Sequence, residues 1–140
     1  MLETLGLEYH YQQGKKIVFP DIGLKRGQRL LISGFSGCGK TTLLSLIAGA
    51  LKLQAGDIKF DGINYSTMSS LLLDQFRADH IGYIFQTLNL IPFLSVSENI
   101  ALGVRFSHSR KSKVSNLSQE VVRLVSSLGL EREALKIPVS

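Results

Sequence analysis

Eight consecutive residues carry the strongest chemical signal in this sequence. Residues 34–41 read Gly-Phe-Ser-Gly-Cys-Gly-Lys-Thr and match the pattern G-x-x-x-x-G-K-[ST]. Glycines permit backbone conformations with positive φ, which let consecutive N–H groups turn toward phosphate oxygens. Lys40 supplies a positive charge to the β- and γ-phosphates, and the Thr41 hydroxyl is placed to hold Mg²⁺. We therefore predict a nucleotide phosphate loop.

The segments on either side of this loop support the prediction. Residues 28–32 are predicted to form an apolar strand that runs directly into the loop. From Lys40 onward the residues are apolar on every side, which is typical of a helix buried on most of its faces. The loop then ends at a helix N-terminus, whose N–H groups and dipole favour negative charge. The alternative is a glycine-rich turn that binds nothing, and the strand–loop–helix context disfavours it.

Composition sets broad limits on the chain. Its 140 residues are 44% hydrophobic and carry a net charge of +5, which excludes a disordered tail, a collagen-like repeat and a coiled coil. One cysteine cannot form an internal disulfide, and no Cys/His cluster has metal-ligand spacing. The longest nearly apolar run, Leu43 to Leu51, is too short to span a bilayer, and no signal peptide is expected. These features predict a cytosolic type of chain.

Strands and helices alternate in the predicted element order, which favours an α/β fold. Further strands are predicted at the period-two residues Leu5, Leu7, Tyr9 and Tyr11, at Ile17–Phe19, at Asp57–Phe60 before the turn Asp61-Gly62, and at Ile81–Phe85. Helices are predicted at Ser69–Asp79, 97–105, 114–128 with Gly129 at its end, and Glu131–Lys136, with a basic break at Arg110–Lys113.

Other phosphate-loop classes fit less well. A GTPase needs a guanine-reading N-K-x-D, which does not occur in this sequence, and the D-x-x-G match at Asp79–Gly82 precedes a strand instead of following one. Ser70–Asp74 could be read as an apolar strand ending in a Mg²⁺-holding aspartate. Leu72, Leu73 and Phe76 lie at helical spacing, however, so a helix is favoured there.

Several spaced segments together resemble the ATP-binding domain of ABC transporters. They are Leu30–Gly49, the stretch from Ala55 to Gly62, and Phe76–Ile100. The resemblance implies a P-loop NTPase-type core with an antiparallel β subdomain over residues 1–86. It places the Q-loop and the start of an α-helical subdomain at residues 87–140, before the family's signature motif. Within the family, the amino-acid sequence of these segments most closely resembles the lipoprotein-release, macrolide-export and cell-division group.

The resemblance assigns ligands and roles residue by residue. It implies that ATP and Mg²⁺ bind, and that the nucleotide contacts Tyr11, Gly34, Phe35, Ser36, Gly37, Cys38, Gly39, Lys40, Thr41 and Thr42. Tyr11 would stack on adenine, with Tyr9 as the alternative and strand packing as the other interpretation of both. Thr42 would lie near the α-phosphate. Gln86 would reach the attacking water and, with Thr41, the metal, so that Lys40 and Gln86 are the candidate catalytic residues.

Partners also follow from the resemblance. Residues 87–96 carry apolar side chains that we expect to be exposed and to contact the membrane-spanning permease, namely Leu88, Leu90, Ile91, Phe93 and Leu94. Complete domains of the family act as a homodimer or pseudo-dimer, in the cytoplasm at the inner face of the cell membrane. Nucleic acid is not an expected partner, because only Arg110–Lys113 form a basic cluster.

Departures from the family pattern limit the expected activity. The sequence ends where the L-S-G-G-Q signature would begin, and it holds no apolar strand ending in Asp-Glu and no D-loop. His10, His80 and His108 lie upstream of the place for a switch histidine and are interpreted as surface or packing residues. The prediction is the N-terminal part of a transporter's ATP-binding subunit, inactive alone. The alternative is a non-catalytic nucleotide-binding fragment without a transport role.

Overall fold

The computed structural model describes residues 1–12, 14–87 and 89–130. They form two compact units, the first spanning Met1–Asp74 and the second beginning at Gln75. The expected division into subdomains at residue 86 stays a prediction.

The first unit is built on an antiparallel sheet. Its strands are β1 (Leu2–Tyr9), β2 (Ile17–Val18), β3 (Ile22–Leu24), β4 (Ala55–Phe60) and β5 (Ile63–Asn64). β1 pairs with β4 along one edge and with β2 and β3 along the other, and β5 extends the sheet beyond β4. The predicted strands at residues 17–19 and 57–60 are confirmed, whereas β3 was not predicted.

A bulge in β1 changes which side chains face the core. Gly6 adopts φ 57°, and the pairing with β4 shifts between Leu5 and Glu8. A β-carbon at Gly56 on β4 would lie 2.4 Å from the carbonyl oxygens of Leu5 and Gly6, so this close approach requires glycine. Leu7 is fully buried while Leu5 is exposed. The predicted strand is therefore confirmed as far as Tyr9, and Tyr11 lies beyond it. Its predicted alternation is wrong, because the bulge reverses the face.

The core of the first unit lies between the sheet and the helix that follows the phosphate loop. That helix, α1, spans Lys40–Ile47. The largest buried side chains are Leu7, Phe19, Leu43, Leu46, Ile58 and Tyr65. The Tyr65 hydroxyl donates a hydrogen bond of 3.0 Å to the Ile47 carbonyl, and burial raises the pKa of Tyr65 to about 12.

Two predicted strands are wrong. In the described part of the chain, residues 28–32 and 81–85 form no strand and pair with no neighbouring strand. Leu31 and Ile84 are almost fully exposed. Their residue types favour a strand, but a strand exists only where a second segment completes the hydrogen-bond ladder.

Four further helices follow α1. They are α2 (Ser70–His80), α3 (Val96–Arg105), α4 (His108–Lys113) and α5 (Leu117–Ser127). The helices predicted near 69–79, 97–105 and 114–128 are confirmed with shifted ends, and α2 excludes the strand interpretation of Ser70–Asp74. The helix predicted at Glu131–Lys136 lies outside the described residues.

The predicted basic break at Arg110–Lys113 is wrong, because α4 forms there. Ser107 caps this helix: its hydroxyl accepts a hydrogen bond of 3.0 Å from the Arg110 N–H and donates one of 2.5 Å to the Asp79 carboxylate. Asp79 also accepts from the Ser109 N–H at 3.2 Å. The hydrogen bond from the Ser107 hydroxyl lowers the pKa of Asp79 most, and the bond from the Ser109 N–H lowers it further.

A separate small core lies in the second unit, between α3 and α5. Its buried residues are Ala101, Val121 and Val125, with Val96, Ile100, Leu117 and Val122 packed against them. Among the helices in the described ranges, none is long and apolar enough to cross a membrane.

Candidate nucleotide-binding site

The phosphate loop depends on glycine at two positions. Gly37 and Gly39 adopt φ 78° and 101°, in the left-handed region that other residues rarely occupy. At Gly39, a β-carbon would also lie 3.1 Å from Ile17 Cγ2 and 3.2 Å from Phe19 Cε1. Ile17 of β2 and Phe19, just after it, therefore pack directly against the loop and leave no room for a side chain there.

The N-terminus of α1 is left open toward the loop. Gly39 is its N-cap and has no side chain to accept a hydrogen bond, and the first turn carries no acidic residue. In the part of the chain that the structure describes, no side chain caps this helix. The N–H groups of its first turn and the helix dipole together favour an anion at this end.

Lys40 lies across its own loop. Its ammonium donates hydrogen bonds of 2.8 Å to the Gly34 carbonyl and 2.7 Å to the Phe35 carbonyl, and its Nζ is 3.8 Å from Cys38 Sγ. The charge is thus held at the mouth of the loop, beside the open N-terminus of α1. This arrangement places a full positive charge where phosphate oxygens would meet the backbone N–H groups.

Tyr11 is joined to the same helix. Its hydroxyl lies within hydrogen-bond distance, 3.0 Å, of Thr42 Oγ1, and Thr42 is buried. The Tyr11 ring is about half exposed, whereas Tyr9 is less exposed and packs edge-on against it with ring centroids 5.0 Å apart. Of the two tyrosines considered for adenine stacking, Tyr11 therefore presents the more accessible face.

The donor set fits a magnesium ion held mainly by a nucleotide. Thr41 lies in the first turn of α1 and is exposed. No group of three or more metal-ligating His, Cys, Asp or Glu side chains occurs among the described residues. Mg²⁺ in nucleotide sites takes few protein ligands and completes its shell with phosphates and water. A single hydroxyl at the end of the loop is consistent with that mode.

A scan against protein-family models matches residues 20–138 to the ABC transporter family. This match covers most of the chain and includes the loop, α1 and the segment around Gln86. The chain belongs to the ABC transporter ATP-binding family.

Individual members of the family agree with this assignment. The ABC transporter ATP-binding protein YtrE of Bacillus subtilis is 32% identical, over 99% of this chain and 62% of its own length. The bacitracin export ATP-binding protein BceA of Halalkalibacterium halodurans is 44% identical, over 59% of this chain and 32% of its own. The chain therefore spans between about one third and three fifths of these two relatives.

A solved ABC cassette matches the fold. The ATP-binding cassette MJ0796, in a dimeric post-hydrolysis state bound to ADP and Pi, superimposes with a TM-score of 0.80 and 25% identity. The match covers 99% of this chain and 61% of that one. The α/β fold of an ABC cassette, expected from the sequence, is therefore confirmed.

Gln86 belongs to the second unit and is exposed, directly after residues 81–85. The predicted site residues therefore belong to both units. Tyr11 and residues 34–42 lie in the first unit, and Gln86 lies in the second. The roles expected for Gln86 at the metal and at the attacking water stay predictions.

The apolar loop that follows Gln86 differs in part from expectation. Phe93 and Leu90 are exposed, as predicted, whereas Ile91 and Leu94 are only partly exposed, and Leu88 lies outside the described residues. Asn99 on α3 explains the difference. Its side chain accepts from the Ile91 N–H at 2.8 Å and donates to the carbonyls of Ile91, Leu94 and Ser95, which fixes the loop against the start of α3.

The start of α3 is marked by a capping pattern in the sequence. Ser95 and Glu98 form a capping box, in which the Ser95 N–H donates to Glu98 at 2.8 Å and the Ser95 hydroxyl accepts from the Glu98 N–H at 3.3 Å. Hydrogen bonds from Ser95 lower the pKa of Glu98. The S-x-x-E pattern at residues 95–98 marks this cap, and the helix predicted at 97–105 begins one residue later than α3 does.

Proposed function

We propose that this chain binds Mg-ATP through residues 34–42 and Tyr11, as the nucleotide-binding part of a transporter's ATP-binding subunit. The observation that carries this proposal is the position of Lys40, bonded to the Gly34 and Phe35 carbonyls beside the open N-terminus of α1. Phosphate oxygens would bind the loop N–H groups and the Lys40 ammonium. The family match supports the choice of nucleotide over other anions.

The remaining groups of the ligand can be placed on the same geometry. Adenine would stack on the exposed face of Tyr11, and the α-phosphate would lie near Thr42, to which Tyr11 is hydrogen-bonded. The Thr41 hydroxyl would be a magnesium ligand. Gln86, which lies in the second unit, is proposed as a second contact on the family resemblance alone. The ion would neutralise charge on the β- and γ-phosphates.

The segment of residues 87–96 is our candidate contact for a permease. It exposes Phe93 and Leu90, and large exposed apolar side chains of this kind mark interaction surfaces. Asn99 gives the loop a fixed shape. We propose that the complete protein pairs with a second ATP-binding domain and sits at the inner face of the membrane, where it would power its permease by ATP hydrolysis. The transported substrate would be set by the permease.

Calorimetric titration with Mg-ATP tests the binding proposal. Lys40→Ala should weaken affinity by a factor of ten or more, since charge-assisted hydrogen bonds contribute about 1.5–3 kcal/mol each. Lys25→Ala, at an exposed lysine in a turn of the same unit, is the matched control and should bind like the wild type. Equal affinity of the Lys40→Ala variant and the wild type would overturn the assignment of the loop.

A further inference from the structure

Gln54 makes an unusual pair of contacts with the backbone at the end of β1. Its side-chain oxygen accepts a hydrogen bond of 2.8 Å from the His10 N–H, and its side-chain nitrogen donates one of 3.0 Å to the His10 carbonyl. One side-chain amide therefore bonds both the backbone N–H and the backbone carbonyl of His10. The side chain substitutes for a neighbouring strand at this point.

The location of this contact matters because the β1–β4 ladder ends just before it. Glu8 pairs with Ala55, and β1 stops at Tyr9. Without Gln54, the backbone of His10 would leave the sheet with no partner from β4. Gln54 thus extends the hydrogen bonding of the sheet to His10, the residue before Tyr11.

Tyr11 is then held at two points. Its backbone follows directly from the clamped His10, and its hydroxyl is bonded to Thr42 Oγ1 at 3.0 Å. Tyr9 packs against its ring in a T-shaped arrangement. A half-exposed ring with both ends fixed in this way is a preformed stacking surface, and a preformed surface binds more tightly than one that must be ordered on binding.

We propose that Gln54 is a positioning residue for nucleotide binding, which fixes the Tyr11 ring over the site through the backbone of His10. The proposal rests on the proposed function, because it requires that Tyr11 stacks on the base of the nucleotide. Gln54 itself contacts neither phosphate nor magnesium in this account. Its effect should therefore be confined to ligands that carry a base.

The test compares Mg-ATP with Mg-tripolyphosphate, which has the phosphates but no adenosine, by calorimetry on the 140-residue chain. Gln54→Ala and Gln54→Met should each weaken Mg-ATP binding by about threefold to tenfold, because the Tyr11 ring must then be ordered on binding, and leave Mg-tripolyphosphate binding unchanged. Gln54→Met keeps the length of the side chain. Gln28→Ala is the matched control, because the Gln28 side chain accepts a hydrogen bond of 2.8 Å from the Lys25 N–H in the turn after β3. This variant should alter the binding of neither ligand.

A double-mutant cycle separates positioning from general support of the fold. In a Tyr11→Ala background, Gln54→Met should cause no further loss of Mg-ATP affinity, because the ring it positions is gone. Equal loss of both ligands, or additive losses in the cycle, would overturn the role of Gln54. If Tyr11→Ala weakens Mg-ATP and Gln54→Met does not, only this inference fails. If Tyr11→Ala has no effect on Mg-ATP, the proposed adenine site is wrong as well.

Discussion

The ammonium of Lys40 is bonded at 2.8 Å to the carbonyl of Gly34, the residue at the opposite end of the phosphate loop. The side chain proposed to bind phosphate therefore also closes the loop that surrounds it. A compact ammonium with three donors can bond two carbonyls and still face a ligand. The loop is thus pre-shaped by the same residue that supplies its charge.

This double role predicts that Lys40→Arg will not preserve binding. The guanidinium is planar and bulkier, so it should lose the bonds to the Gly34 and Phe35 carbonyls even though the charge remains. We expect Mg-ATP affinity at least tenfold below wild type, measured by calorimetry. Lys16→Arg, at an exposed lysine that pairs with Glu8 at 2.7 Å, should bind normally. Wild-type affinity in Lys40→Arg would show that charge alone is sufficient.

Cys38 offers a chemical probe of the loop. It is the only cysteine of the sequence, it is exposed, and it lies 3.8 Å from the Lys40 ammonium. We expect saturating Mg-ATP to slow maleimide labelling of Cys38 about tenfold or more, because bound phosphates would occupy the space around the thiol. Mg-tripolyphosphate should protect as well, whereas adenosine alone should not. Identical labelling rates with and without Mg-ATP would count against phosphate binding at this loop.

A polypeptide of residues 1–140 should bind nucleotide but hydrolyse almost none. Hydrolysis requires a base for the attacking water and donors for the charge that develops on the γ-phosphate. The carboxylates of Asp57, Asp61 and Asp79 are bonded to Ser66, the Met1 amino group and Ser107. Single-turnover phosphate release should match that of Lys40→Ala. Sustained phosphate release that disappears in Gln86→Ala would mean that residues 1–140 contain a catalytic base of their own.

The phosphate loop could be predicted from sequence because its constraints are local. Gly37, Gly39 and Lys40 act within a few residues of one another, so a short pattern contains the whole geometry. Whether residues 28–32 form a strand could not be predicted from these residues alone, since a strand also needs a second segment to pair with. The contact between Gln54 and His10 joins residues 44 positions apart, and no local pattern marks it.

The Asp79–Ser107 contact predicts an acid-dependent loss of stability. The pKa of Asp79 is lowered in the folded chain from its ordinary 3.8, first by the Ser107 hydroxyl and then by the Ser109 N–H. The stabilisation is therefore present above pH about 4 and is lost as the pH falls through the lowered value. Urea unfolding of Asp79→Asn between pH 7 and pH 2 should show a smaller decline than wild type on the acid side.

Ser107→Ala provides the second arm of that experiment. It removes the largest cause of the lowered pKa of Asp79 and the cap of α4, so it should be less stable than wild type at pH 7. Its difference from wild type should shrink at low pH. A difference that stays constant with pH in both variants would show that the carboxylate does not contribute through its charge.

Amide hydrogen exchange with and without Mg-ATP is the most direct test of the proposed binding site. Bound phosphates should slow exchange at the backbone N–H groups of residues 34–42, since these groups are the proposed phosphate ligands. Helix α5, which takes no part in the proposed site, should be unchanged, and Lys40→Ala should show no protection at the same Mg-ATP concentration. If saturating Mg-ATP leaves the exchange rates of residues 34–42 unchanged, this loop is not the nucleotide site.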